Sequence, residues 1–378
     1  MEFKISTKEQ DALLKELASR TDVEAARMKR YLSMPDLSRT KTSPLFEIVE
    51  QTRKLDVVKG FDNIIIPEIV PADISFDLFN FAPNHPARST SDTYYVDKKN
   101  ILRTHDTVMW YYYFNLPEIK ERIKKKDSFG VICYGKVYRK DEIDRKHMNT
   151  FHQMGGLYMV PDDGKKKLTL EDLKEALSAI VKGVFGPDIK YRFNTDTFPY
   201  TDPSLEVEVE IKGQWIEILG GGMPRKEVLK NFNVEGYHGW AFGFGLERLA
   251  IIGMELPDIR LLWSDDERVK KQLKLGHIYK EVSKYPAIVR DISFVVDKAN
   301  FAPNNYFDLV RDVVGDLAEE MALVDEYENA KKFGEGKKSY AYRITYRSID
   351  RTLTQDEVNA LHKKLEERTK EVFGATVR

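Results

Sequence analysis

The chain has 378 residues, 42% hydrophobic and 11% aromatic, which is long for one domain and ample for packed cores. Its 60 basic and 61 acidic side chains leave a net charge of −1, so nothing global marks a nucleic-acid binder, although a local basic patch fits that balance. The one cysteine, Cys133, excludes an intramolecular disulfide framework and any multi-cysteine metal site, and makes a reducing, intracellular compartment the default.

The first residues, "MEFKISTKEQDALLKELASR", carry acids and lack an uninterrupted apolar core, so they read as neither a secretory signal nor an acid-poor transit peptide. No stretch approaches the roughly 18 apolar residues of a membrane helix. Cytoplasmic placement without a membrane partner is expected, with the mitochondrial matrix as the alternative. Two capping boxes, Thr7 with Gln10 and Thr21 with Glu24, predict a helical hairpin over about residues 8–33. Ser43-Pro44 then opens a helix whose stripe is Leu45, Ile48, Val49, Thr52, Leu55 and Val58, with Gly60 just past its end. "NIIIPEIV" reads as a buried strand interrupted by Pro67.

From residue 93 to 160 the pattern is mostly strands: "TYYV", "NILRT", "GVICYGKVYR" and "FHQMGGLYMV". Thr169 with Asp172 caps a helix that faces inward on Leu173, Leu177, Ile180, Val181 and Val184. "LEVEVEI" alternates with period 2, "KGQ" turns and "WIEIL" returns, which makes a hairpin. "GWAFGFG" is a further strand, leading into a helix at "LERLAIIG". Near Pro257 a linker begins, in which Ser264 and Glu267 box a short helix ending at Gly276, and the chain then runs extended through "SKYPAIV". The remaining hundred residues read strand "RDISFVV", a helix over roughly 304–319, strands "ALVDEYE" and "SYAYRITYR", a helix boxed by Thr354 and Glu357, and strand "ATVR". That β-α-β-β-α-β order is the split ferredoxin-like unit. The pattern predicts an α+β protein: an antiparallel sheet flanked by helices, then a smaller ferredoxin-like module.

In "GKVYRKDEIDRKHMNTFHQ" a strand ends on Arg139, a charged loop spans Lys140 to Asn149, and the chain returns as a strand through Phe151. Arg139 can neutralise a phosphate with its planar fork of donors, and Phe151 offers a face for a nucleobase. Taken alone, such a loop is more often a solvated charged turn. In "FGFGLERLA", Gly243 and Gly245 let backbone approach a ligand, and Arg248 lies in the first turn of a helix, whose N-terminus favours anions. His147 and His152 are five apart, which suits neither one helix face nor a closed four-ligand metal site.

"GKVYRKDEIDRKH…FHQ" resembles motif 2 of the class II aminoacyl-tRNA synthetases, in the version of the phenylalanyl-tRNA synthetases, and "GFGLERLA" resembles motif 3. The helix and strand from Ser43 to Val70 resemble motif 1. "HPARSTSDTYY" (85–95), "LRTH" (102–105), "FPYTDPS" (198–204) and "WIEILGGGM" (215–223) are similar to segments of the same family's catalytic subunit, in the same order. "KYPAIVRDISF" and "YRITYR" resemble its ferredoxin-fold anticodon-binding domain, and the single-chain arrangement is like the mitochondrial form. The resemblance spans about residues 43–378. It implies a helical extension over 1–42, a class II catalytic domain over 43–256, a linker over 257–278 and an anticodon-binding domain over 279–378.

The resemblance implies a two-step reaction. Phenylalanine and ATP with Mg²⁺ would form phenylalanyl-adenylate, and the acyl group would pass to the terminal adenosine of tRNA(Phe). By that likeness Arg139 binds the α-phosphate, where charge builds during carboxylate attack. Phe151 and Arg248 would sandwich the adenine, His147 would lie near the outer phosphates, and Asp141 and Glu217 would belong to the same nucleotide site. Glu206 and Glu217 stand where the class positions metal and ribose. Catalysis would rest on Arg139 and Arg248 through positioning and electrostatics, with no covalent enzyme intermediate. The amino-acid pocket would be lined by Phe198, Tyr200 and Ala241, the rings holding a phenyl group edge to face, while His105, Thr107 and Gln153 take the amino and carboxylate ends. A monomer is expected, with a dimer through motif 1 as the alternative.

Three positions depart from the family. Where its members read F-H-Q-x-E-G, with the glutamate on the substrate ammonium, this chain has Gly155. A charge-assisted hydrogen bond contributes about 1.5–3 kcal/mol, so either Asp141 or another acid compensates, or the substrate differs. Tyr200 adds a hydroxyl to the pocket, and "GGG" replaces the usual "GCG" at Gly221. Two alternatives follow: a ligase for tyrosine-like or noncanonical aromatic acids, and a non-catalytic tRNA-binding paralogue. Retention of Arg139, Phe151 and Arg248 argues against the second.

From Lys331 to Arg351 the chain carries a local excess of five positive charges. On "SYAYRITYR" Tyr340, Tyr342, Ile344 and Tyr346 share one face, while Arg343, Thr345 and Arg347 share the other. Exposed arginines suit RNA backbone and exposed aromatics suit unstacked bases; either face could be the buried one. Arg343, Arg347 and Arg351 are the candidates for tRNA contact.

Overall fold

Thr7 opens the first helix, Lys8–Ser19, by accepting the Gln10 N–H. The second, Val23–Ser33, is capped by Asp22 rather than Thr21: the Asp22 carboxylate accepts the Ala25 N–H while Arg20 holds it from the other side. The computed structural model describes residues 1–281 and 285–378, so the start of the expected extended run "SKYPAIV" lies outside the described residues. Ser43 caps a helix over Pro44–Lys54 that buries Leu45, Ile48 and Val49. Leu55 ends it, one turn short of the predicted stripe, and Val58 reaches the core from the turn that follows.

Eight strands form one sheet in the order Glu2–Lys4, Asp62–Ile65, Phe129–Tyr138, Thr150–Pro161, Tyr237–Gly245, Gln214–Pro224, Thr201–Ile211 and Tyr191–Phe198. The first two pairings are parallel and the rest antiparallel. Phe129–Tyr138 is buried along its whole length because helices cover both faces of the sheet there. On one face pack Pro44–Lys54, Leu170–Phe185 and Leu246–Met254. On the other, Met109–Phe114 buries Trp110, Tyr113 and Phe114.

That second layer corrects the expectation of strands through residues 93–160. "TYYV" makes only an isolated bridge, Tyr95 to Ile101, and residues 106–125 form three short helices, Asp106–Val108, Met109–Phe114 and Pro117–Lys125. The run Trp110-Tyr111-Tyr112-Tyr113-Phe114 has strand propensity, but its rings are buried against the sheet from a helical backbone, and packing overrides propensity. Tyr191–Phe198 is a strand that the sequence pattern did not single out. The Thr169–Asp172 capping box opens Leu170–Phe185 as expected. Asp266, not Ser264, caps the short helix Glu267–Lys270, while the Ser264 hydroxyl accepts the Asp266 N–H.

The C-terminal module has the predicted order: Ile288–Asp297, helix Pro303–Val314, Ala318–Glu328, Lys337–Tyr346, helix Gln355–Phe373 and Thr376–Val377. Its sheet runs Ala318–Glu328, Lys337–Tyr346, Ile288–Asp297, Thr376–Val377. Tyr342, Ile344 and Tyr346 are essentially fully buried under the helices, so the aromatic face is core and does not offer rings to bases. The module packs on the rest of the chain through Asp308, which accepts hydrogen bonds from Tyr94 Oη at 2.8 Å and Asn149 Nδ2 at 3.0 Å. Arg27 reaches Asp312 at 2.8 Å, and Arg311 donates to the Asp141 carbonyl at 3.0 Å.

Candidate active site

The strands Phe129–Tyr138 and Thr150–Pro161 pair with Val137 opposite Phe151, and the Arg139 N–H continues the ladder to the Asn149 carbonyl. This register brings the Arg139 guanidinium to 5.3 Å from the centre of the Phe151 ring. Arg139 Nε donates to the Thr104 carbonyl at 3.0 Å, which sets the plane of the guanidinium and leaves its two terminal nitrogens for an anion. In the loop beyond, His147 Nδ1 bonds Asp144 at 2.8 Å, and that bond raises the imidazole's pKa, favouring a cation at the loop tip.

Tyr237–Gly245 lies beside Thr150–Pro161 with Gly243 opposite Gly155 and Gly245 opposite Gln153. The chain then turns into the helix Leu246–Met254, whose first turn carries Glu247 inward and Arg248 outward. Glu247 is buried and accepts both the backbone N–H and Nδ1–H of His152, the latter at 2.6 Å. Arg248 Nη1 donates to the Glu217 carbonyl and pairs with its carboxylate at 3.3 Å.

These elements wall a cleft of about 1010 Å³. It is lined by His105, Thr107, Arg139, Asp141, His147, Phe151, Gln153, Phe198, Tyr200, Glu217, Ala241 and Arg248. Glu206 is not in that lining; it accepts from Asn194 on the neighbouring strand. At the closed end, Tyr200 stacks on Phe198 with ring centroids 5.8 Å apart and meets Phe79 and Trp110 edge to face. Tyr200 thus presents a ring anchored on two sides, with its hydroxyl pushed up to about 12 by burial and so neutral. His105 Nε2 lies 3.1 Å from the Ser75 carbonyl, and burial pushes its imidazole down to about 4. Gln153 accepts the Asp106 N–H through its side-chain oxygen. At Gly221 a Cβ would stand 2.7 Å from the Ala241 carbonyl oxygen, so a side chain here would need the two strands to shift apart.

The model of the "tRNA synthetases class II core domain (F)" matches residues 28–273, and that of the "Ferredoxin-fold anticodon binding domain" matches residues 283–378. The mitochondrial phenylalanine–tRNA ligase of Mus musculus is 33% identical across 92% of this chain and 79% of its own length. The chloroplastic/mitochondrial phenylalanine–tRNA ligase of Arabidopsis thaliana is 38% identical across 82% of this chain and 71% of its own. The chain belongs to the phenylalanine–tRNA ligase family.

Within this family of class II aminoacyl-tRNA synthetases, the alternatives of a tyrosine-like substrate or a non-catalytic paralogue are not favoured. The cytoplasmic placement expected from the acidic N-terminus is overturned: these ligases are named mitochondrial or chloroplastic/mitochondrial. The acids of the first residues are no guide to placement, because Glu2 belongs to a strand of the fold and Glu9 and Asp11 to its first helix. No helix among the described residues is long and apolar enough to cross a membrane.

For the ligase's metal, no group of three or more His, Cys, Asp or Glu side chains among the described residues is arranged as a ligand set. Glu217 is the carboxylate of the expected pair that reaches the cleft. In the anticodon-binding module, all three candidate arginines have carboxylate partners: Arg343 grips Asp291 through two nitrogens, Arg347 bonds Glu319 at 3.0 Å, and Arg351 pairs with Glu357. Sequence reasoning missed Asp106, Glu247 and the role of His152. The signal for His152 was its burial-prone place on a strand, but its partner is 95 positions away.

Proposed function

We propose that this chain joins phenylalanine to ATP, giving phenylalanyl-adenylate and pyrophosphate, and then transfers the phenylalanyl group to the terminal adenosine of tRNA(Phe). The observation that carries the reading is that one cleft holds an arginine–aromatic pair at one end and a closed aromatic pocket at the other. Arg139 beside Phe151 suits a nucleotide α-phosphate next to its base. Phe198, Tyr200 and Ala241 suit a phenyl ring, with the alanine leaving room that a larger side chain would take.

In the first step a phenylalanine carboxylate oxygen attacks the α-phosphorus and pyrophosphate leaves. Negative charge grows on the phosphoryl oxygens, and the terminal nitrogens of Arg139, held in plane by Thr104, meet it without reorganising. Phe151 and Arg248 hold the adenine between them, and His147, whose bond to Asp144 favours its charged form, attends the departing phosphates. Asp141 lies at the same end of the cleft. Mg²⁺ would arrive with the nucleotide, its ligands coming mainly from the phosphates, with Glu217 as the cleft-facing carboxylate. Glu206 would act from behind, orienting Asn194. His105, Thr107 and Gln153 hold the substrate's amino and carboxylate ends. Arg343, Arg347 and Arg351 would contact tRNA once released from their carboxylates, and the chain would work as a monomer.

The test is ATP–pyrophosphate exchange with the purified protein and each standard amino acid. Phenylalanine should drive exchange well above tyrosine, although an apolar pocket rejects an added hydroxyl by only about 10². Exchange driven by another amino acid alone would overturn the reading.

A further inference from the structure

Asp106 lies in the short Asp106–Val108 helix at the entrance to the aromatic layer, and its carboxylate faces the cleft. The residue is only 5% exposed, and Oδ2 has no hydrogen-bond partner. A Cβ at Gly155 would fall 2.1 Å from that Oδ2, and one at Gly243 would fall 3.7 Å from Oδ1. The carboxylate therefore sits over two glycines that face each other on adjacent strands, in the space that a side chain at 155 would occupy.

A buried carboxylate oxygen without a hydrogen-bond partner is costly, which suits a site that receives a cation. Arg103 and Arg139 stand close enough for their charge to favour the ionised carboxylate, but neither donates a hydrogen bond to it. Arg103 gives its donors to the Lys136 and Ile66 carbonyls, and Arg139 Nε to Thr104. His105 and Tyr200 are neutral by burial. No further His, Cys, Asp or Glu among the described residues joins Asp106 in a metal-ligand set. A single carboxylate next to Gln153 and Thr107, at the mouth of an aromatic pocket, matches a primary ammonium on a short carbon frame.

We infer that Asp106 accepts the α-ammonium of the amino-acid substrate, from a helical turn that places its carboxylate over Gly155. The inference rests on the ligase reading and answers what replaces the glutamate. Gly155 is glycine because the Asp106 carboxylate needs its side-chain volume; the two positions form a coupled pair. Asp141, the acid that the sequence offered for this role, lies in the cleft beside Arg139 instead. Burial pushes the Asp106 carboxyl up to about 7, so substrate capture draws it into its ionised form near neutral pH.

The experiment compares wild type with Asp106→Asn in ATP–pyrophosphate exchange, with 3-phenylpropanoate, which lacks the ammonium, as competitive inhibitor. The inference expects the KM for the activated amino acid to rise about 10- to 100-fold in Asp106→Asn, while the KM for ATP and the inhibition constant of 3-phenylpropanoate change less than twofold. An amino-acid KM within twofold of wild type overturns it, as does an equal weakening of amino acid, ATP and 3-phenylpropanoate, which would mark a structural role. A wild-type protein that exchanges with no amino acid at all overturns the ligase reading and this inference together, whereas wild-type exchange whose amino-acid KM is unmoved by the substitution overturns the inference alone.

Discussion

His152 and Glu247 pin the two nucleotide-facing segments together: the imidazole Nδ1 donates to Glu247 at 2.6 Å, and Nε2 accepts the Leu37 N–H at 3.0 Å. That acceptor role puts the ring's proton on Nδ1. The pair lies directly beneath Phe151 and Arg248, each the chain neighbour of one partner. Replacing Glu247 with alanine leaves two buried donors of His152 unpaired. Urea denaturation should show a loss of about 3 kcal/mol, and exchange assays a several-fold rise in the KM for ATP.

Arg139 and Arg248 should separate by kinetics. Arg139→Ala removes a preorganised donor to developing charge and is expected to lower kcat for exchange by about 10²–10³. Arg139→Lys keeps the charge without the planar fork and should recover only a small part. Arg248→Ala removes one face of the adenine site, so its main effect should be on the KM for ATP, about tenfold.

Asp106 should also appear in stability. Its folded pKa, about 7, lies above the ordinary carboxylate value near 3.8, so ionisation disfavours the fold. Its contribution is most favourable below pH 4 and is lost as pH rises through 7. Asp106→Asn removes that penalty. Thermal melts of the ligand-free protein should show the variant more stable than wild type at pH 8, by at most about 4 kcal/mol, with the gain vanishing near pH 4. The opposite sign in substrate binding makes this a stability–function trade-off at one residue.

The contact between the C-terminal module and the rest of the chain depends on Asp308, fully buried, with Arg27 at 3.7 Å and Arg311 at 3.9 Å. Burial raises its pKa and the cations oppose that. Arg27→Met leaves Asp308 with only Arg311 and Lys140 as cations nearby and Asp312 without its closest partner. Calorimetry should register a loss of about 3 kcal/mol or more.

For tRNA, each arginine that reaches a phosphate adds to the salt dependence of binding. Arg343→Ala should weaken binding and reduce the slope of log affinity against log salt by about one. An unchanged slope would remove Arg343 from the interface.

Much of the fold was legible because its signals are local. The Thr7, Ser43, Thr169 and Thr354 caps, the alternation of "LEVEVEI", and the β-α-β-β-α-β order all reside in contiguous residues, and the structure shows them. So does the strand–loop–strand that carries Arg139 and Phe151. Local sequence thus specified these elements and the motifs mounted on them. Tertiary structure alone decided the rest. The aromatic run at 110–114 is helical because burial against the sheet outweighs its strand propensity. The tyrosines of Lys337–Tyr346 are core because two helices cover that face, which period 2 cannot choose. Above all, Asp106 over Gly155 and His152 against Glu247 join residues far apart in sequence. Their meeting is set by how strands pair and helices pack across the sheet, and no local pattern encodes that distance.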